Sequence, residues 1–208
     1  MDKEKRGIQG SSAESRRHIY RISMGVKPVQ IHVLGTRDVS EDALNSIIEG
    51  LQIVFPEKTF KKKANTLEIP TEAFNPERKQ YLSTAILRKV RGYAEEHGVK
   101  TALGVVEVDL YVPRLNFVFG EAECPGKAAV ISVFRLKPEF HGQPQNETLF
   151  IERCIKEAVH EIGHTLGLTH CDNPFCVMHF SNTIYDTDVK QRFFCRKCYS
   201  KLAKLSKE

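Results

Sequence analysis

The stretch from His160 to His170 constrains this chain more than any other. His160-Glu161-Ile162-Gly163-His164 places two imidazoles at i and i+4, one helical turn apart. Both rings can then reach one ion while Glu161 sits beside its open coordination position. A helix with two surface histidines would look the same over five residues, and the continuation separates the two readings. Gly167 follows His164 by three positions and His170 follows Gly167 by three. A continuing helix cannot return a third ligand to the same ion at that distance. The chain must leave the helix sharply, and Gly167 can take the left-handed backbone that does so. His170 then arrives from below as the third ligand. Three histidines leave a fourth position for water, the pattern of a catalytic zinc, and Glu161 is placed as general base.

The helix that carries this motif is predicted from about Glu147 to Leu166. Ile151, Cys154, Ile155, Ala158 and Ile162 share one stripe of its wheel, while His160 and His164 fall about 40° apart on the opposite side. One face meets the core and the other presents imidazoles to a cleft.

Four of the six cysteines lie between Cys171 and Cys198. Cys171 and Cys176 form one pair, and Cys195-Arg196-Lys197-Cys198 forms a second across a loop, a spacing suited to tetrahedral zinc. Four thiolates leave no water position, so this second zinc is read as structural. Asp172, Asn173, Ser181, Asn182, Thr183, Asp186 and Asp188 give the region little apolar density. A zinc clamp supplies folding free energy where burial is scarce. Because Cys171 adjoins His170, the clamp also holds the third histidine. Cys154 is read as core. Cys124, in a loop after the edge strand expected over Asn116–Phe119, is read as an ordinary loop thiol, with blockage of the zinc as the alternative.

Further upstream, residues 1–26 read as a flexible arm, and residues 27–208 as a single catalytic domain. Within it, residues 27–168 hold sheet and helices and residues 169–208 form the zinc-clamped segment. A strand is predicted over Val29–Leu34, then a helix from the Ser40 N-cap to about Phe55. A strand follows over Lys61–Ile69, and then a helix from Pro76 to about His97, stopped by Gly98. Gly104–Tyr111, Asn116–Phe119 and Ala128–Phe134 are β-branched, aromatic-rich runs and read as strands. This order predicts a mixed α/β (α+β) fold, a sheet backed by helices.

Hydrophobic residues at 41% and charged residues at 27% allow a folded core without disulfide staples. No stretch approaches the ~18 apolar residues of a membrane span. No apolar run follows the basic start, so no secretory signal is read and the expected location is cytoplasmic, where thiols stay reduced. The net charge of +5 is unevenly placed: residues 143–188 are acid-rich, and seven basic residues lie from Lys190 onward. Such a tail is more often a solvated face than a nucleic-acid surface.

The signature His160-Glu161-x-x-His164-x-x-Gly167-x-x-His170 resembles that of the metzincin metallopeptidases. Met178 is well placed for the methionine turn of that clan. Phe180 departs from members with a tyrosine there, leaving Tyr185 as a candidate phenol. With Cys171, Cys176, Cys195 and Cys198 added, the chain resembles the archaemetzincin family over His160–Cys198. The resemblance implies a metzincin-like twisted sheet, a second zinc beside the catalytic one, and peptidase activity on peptide or protein substrates. Two other functions remain open: a non-peptide zinc amidase, and a module that grips nucleic acid or protein through the basic four-cysteine tail.

Overall fold

Gln30–Gly35 (β1) is buried from Ile31 onward, with Ile31 and Val33 in the core on one face of a sheet and Leu34 in the core on the other. A computed structural model describes residues 29–64 and 66–205 of the protein. The arm expected over residues 1–26 lies outside the described residues. Ser40 caps the helix after β1, its Oγ accepting the Ala43 N–H at 3.1 Å, and α1 runs Glu41–Val54 as the sequence predicts. The next strand, β2, spans Thr59–Lys63, so the expected strand over Lys61–Ile69 starts earlier and stops short. Its continuation folds back, with the Thr66 and Leu67 N–H groups both bonded to the Gly35 carbonyl.

The helix expected from Pro76 begins only at Ser83. Asn75 explains the difference: its Oδ1 accepts the Glu77 and Arg78 N–H groups, and Lys79 takes a positive φ of 55°. This turn joins β3 (Phe74–Asn75) to β4 (Gln80–Leu82). Helix α2 then runs Ser83–Glu96 and ends near Gly98, whose φ of 61° fits the expected stop. The strand expected over Gly104–Tyr111 is two strands in different sheets, β5 (Thr101–Val106) and β6 (Leu110–Tyr111). The edge strand expected over Asn116–Phe119 is displaced to β7, Gly120–Ala122. Val118 instead bridges Leu110. β8 spans Ala128–Ser132.

The main sheet has the order β2-β1-β5-β8-β7, parallel throughout except for the antiparallel β7–β8 edge. Parallel strands need cover on both faces, and β5 and β8 are buried along their whole length. On one face α1 packs with α3 (Glu147–Thr165), sharing a core of Ile31, Leu44, Ile47, Leu51, Ile131, Ile155 and Ile162. On the other, α2 buries Ile86 and Val90 against Leu34, Ala102 and Val130. Each such Leu, Ile or Val side chain contributes roughly 1.5–3 kcal/mol through burial. A small sheet of order β3-β4-β6 flanks this second core.

The C-terminal segment is less poor in apolar contacts than its composition implies. Leu168, Val177 and Met178 are buried in the same core as α1 and α3, alongside Cys171, Cys176 and Cys198. Two short helices complete it. α4 (Ile184–Val189) is started by a reciprocal Thr183–Asp186 cap, and α5 (Arg196–Leu205) carries Cys198.

Candidate metal centre

The predicted turn at Gly167 is present. Its φ is +91°, a conformation that favours glycine, and its N–H bonds the His164 carbonyl to close the end of α3. The reversal brings His170 back, so that ring nitrogens of His160, His164 and His170 all lie within 4.8 Å of one another. His160 and His164 are oriented from behind. The His160 Nδ1–H donates to the Val177 carbonyl and the His164 Nδ1–H to the Leu168 carbonyl, each at 2.7 Å. Carbonyl oxygens only accept, so the proton on each ring sits on Nδ1 and the Nε2 lone pairs are free. Those two Nε2 atoms face each other at 3.1 Å.

Two lone pairs so close repel unless a cation lies between them. Ligands ~2.0 Å from a tetrahedral zinc stand ~3.3 Å apart, so the residues fit that ion. Burial lowers the pKa of all three imidazoles, that of His160 well below its ordinary value; Lys190 adds to the shift in each, and neighbouring histidines add to it at His160 and His170. The shift favours the neutral form, which is the form that binds metal.

Glu161 is buried beside β7. A β-carbon at Gly120 would stand 2.7 Å from both Cγ and Oε1 of Glu161, and as close to the Val130 carbonyl. The absent side chain at position 120 is the space Glu161 occupies. Burial first, then the nearby Glu157 and Glu121, push its carboxyl well above the usual range, with Lys190 opposing them. Beneath the histidines Met178 is wholly buried, its sulfur close under the α3 backbone at Gly163. Its turn is laced to the segment after Gly167: the Cys171 N–H donates to the Met178 carbonyl and His179 Nδ1 to the Cys171 carbonyl. The Phe180 ring meets His170 edge-on at 4.9 Å between centroids. Tyr185 is 72% exposed on the first turn of α4. The Cys124 thiol bonds the Leu168 carbonyl at 3.3 Å, the same acceptor that His164 uses.

The sulfurs of Cys171, Cys176, Cys195 and Cys198 also lie within 4.8 Å of one another. Cys171 and Cys195 are 3.8 Å apart, far beyond a disulfide bond and equal to the ~3.8 Å between thiolates ~2.3 Å from a tetrahedral zinc. The thiols differ in acidity. Burial raises Cys176 and Cys198. Burial also opposes ionisation of Cys195, but the Cys198 backbone N–H and the Cys176 and Cys171 thiols bring it down to about 7. Cys154 lies in the core, as expected.

Sequence reasoning missed the far side of α3. Arg153, Lys156 and Glu157 are buried. Arg153 grips both oxygens of Asp188 at 2.7 and 2.8 Å and donates to the Leu136 carbonyl. Lys156 donates to the Thr187 and Asp188 carbonyls at the end of α4. Lys190 pairs with Glu157 at 2.9 Å, and Arg192 pairs with Glu152. The acidic helix and the start of the basic tail therefore neutralise each other internally, and Lys190 is no part of a solvated face. Residues 153, 156, 157, 160, 161 and 164 form one polar stripe at helical spacing, a signal present in the sequence.

Residues 19–204 match the sequence profile of Peptidase family M54. The archaemetzincin of Methanocaldococcus jannaschii is 51% identical over 136 residues, covering 65% of this chain and 73% of that one. The crystal structure of archaemetzincin from Methanopyrus kandleri superposes with a TM-score of 0.76 at 36% identity, over 86% of this chain and 96% of the other. A zinc-dependent peptidase from Methanocorpusculum labreanum gives 0.75 at 31% identity, over 83% and 99%. Profile, relatives and fold agree with the paired clusters of histidine and cysteine, and the chain belongs to the archaemetzincins of peptidase family M54, which are zinc metallopeptidases.

Proposed function

We propose that this protein hydrolyses peptide bonds at a zinc held by His160, His164 and His170, with Glu161 as general base. A second, structural zinc is held by Cys171, Cys176, Cys195 and Cys198. The observation that carries the reading is the pair of Nε2 lone pairs converging at 3.1 Å beside a buried carboxylate. His160, His164 and His170 would hold a zinc, which would supply Lewis-acid polarisation of the scissile carbonyl and a bound water of pKa ~7. Glu161 takes the proton from the attacking water and passes it to the leaving amine. The Val177 and Leu168 carbonyls hold the rings of His160 and His164 in the binding tautomer throughout.

Residues 27–208 then act as one domain, because Leu168, Val177 and Met178 of the clamped segment share the core of α1 and α3. Among the described residues no helix is long and apolar enough to cross a membrane. Six unpaired cysteines suit a reducing, cytoplasmic setting. Commitment of Lys190 and Arg192 to Glu157 and Glu152 weakens the alternative of a tail that grips nucleic acid.

The test is zinc per chain together with peptide hydrolysis by wild type and Glu161→Gln. Two zincs are expected in both, with hydrolysis lowered by roughly 10²–10⁴-fold in the variant. One zinc in fully loaded protein removes the four-thiolate site, and wild-type turnover in the variant removes Glu161 as base. A panel of peptides against simple amides separates a peptidase from an amidase.

A further inference from the structure

We propose that Lys190 and Glu157 are positioning residues for the three-histidine site, an inference that rests on the zinc reading above. Glu157 lies one turn before Glu161 on α3, and its Oε1 takes the Lys190 ammonium at 2.9 Å and the Thr187 hydroxyl at 3.0 Å. All three side chains are almost wholly buried. A buried ion pair is weak evidence of stabilisation, since apolar residues of the same volume often do as well. Its position is what needs explaining.

Lys190 opens the segment that backs the methionine turn. The Gln191 N–H donates to the Phe175 carbonyl, and the Phe193 carbonyl accepts the Val177 N–H at 3.1 Å. The Lys190 ammonium also reaches the His179 carbonyl at 3.5 Å. Val177 in turn accepts His160 Nδ1–H. A continuous path of contacts thus leads from Glu157 through Lys190, the backbone of residues 191–193 and Val177 to the imidazole of His160. Helix α3 holds both ends of that path, Glu157 and His160, one turn apart. The ion pair fixes the depth of the turn against the helix, and the turn fixes the ring. Without the pair, residues 175–179 keep their backbone bonds to 191–193 and α3 keeps its ties to residues 187, 188 and 192 through Lys156, Arg153 and Glu152, but the Lys190 link from Glu157 to the His179 carbonyl of the turn is lost.

The decisive variant is Glu157→Leu/Thr187→Val/Lys190→Met, which replaces every polar member by an apolar side chain of similar size. Zinc affinity of the histidine site, the visible spectrum of its cobalt(II) form, the melting temperature, and kcat and KM are measured beside wild type. The expected result is a melting temperature within a few degrees of wild type and a retained four-cysteine zinc. Affinity at the histidine site falls about 10-fold or more, the cobalt spectrum shifts, and kcat falls at least as far with KM little changed. If the folded variant matches wild type in affinity, spectrum and kcat, the pair is scaffold alone and the proposal is overturned. Should the triple variant not fold, Glu157→Gln/Lys190→Met keeps an acceptor for Thr187, removes both charges and carries the same expectations. Wild type that binds no metal at the three histidines would sink the zinc reading itself, a distinguishable failure.

Discussion

The two candidate metal sites share a strand of chain and differ in almost everything that supports them. His160 and His164 project from a 19-residue helix packed on a mostly parallel sheet, and their rings are tethered by backbone carbonyls. The four cysteines come from loops and the start of a 10-residue helix, and their sulfurs mainly hydrogen-bond to one another. The first site is organised by the fold and leaves a position open. The second is a cluster of four thiols, a donor set that would close its own coordination if it held zinc. A scaffold that exists without metal can be given to chemistry, whereas a scaffold made by metal is given to shape.

The sharpest way to break this contrast is graded removal of zinc. A chelator titration is expected to strip the histidine site first, abolishing hydrolysis while the melting temperature falls little. Stronger chelation that empties the thiolates then unfolds residues 171–198. Loss of both ions in a single step, with melting, would show the two sites to be one unit.

Next in size is Cys198→Ser, which leaves three thiols in the four-cysteine cluster proposed to hold the second zinc. The melting temperature is expected to fall by roughly 5–15 °C. Because Cys171 adjoins His170, and its N–H bonds the Met178 carbonyl, zinc affinity at the histidines falls with it by about tenfold. A melting curve paired with a zinc-competition titration checks this. An early melt with unchanged catalytic affinity means the clamp is uncoupled from His170.

The smallest effect is the most local. Gly120→Ala places a methyl where Glu161 now lies, so the carboxylate or β7 must yield. The expectation is a kcat lower by roughly 10- to 100-fold, with zinc content and melting nearly unchanged. Wild-type kcat in this variant would mean that Glu161 acts from another position.

Much of this arrangement was legible before any coordinates. The motif spacing pointed to both groups of side chains that the fold brings together and to the reversal at Gly167, and the apolar stripe of α3 gave its buried side. Ser40 and Gly98 marked helix ends through their own chemistry. The failures cluster where local signals compete. Asn75-Pro76 reads as a helix start, yet the Asn75 side chain captures the N–H groups that follow and makes a hairpin. Phe117 and Phe119 look like strand residues, but pairing on the sheet begins at Gly120, where a missing side chain admits Glu161. Propensity cannot report that a glycine is needed by a residue 41 positions away. The sequence offers no partner for Arg153, Lys156 and Glu157 of α3, because Thr187, Asp188 and Lys190 arrive from a distant part of the chain.

That charged side bears on which ion the site accepts. Apolar contacts hold α3 along one flank and ion pairs hold it along the other, so the helix can neither roll nor slide. The distance from the rings of His160 and His164 on α3 to His170 is then held by the packing of that helix. A metal that favours longer bonds, or a flat arrangement of donors, meets a bite that does not open to receive it. Raw affinity rises along the divalent series toward copper, and a donor set that adapted freely would follow that order. A helix clamped on both flanks selects by dimension instead, a steel gauge where a looser site would be a rubber one.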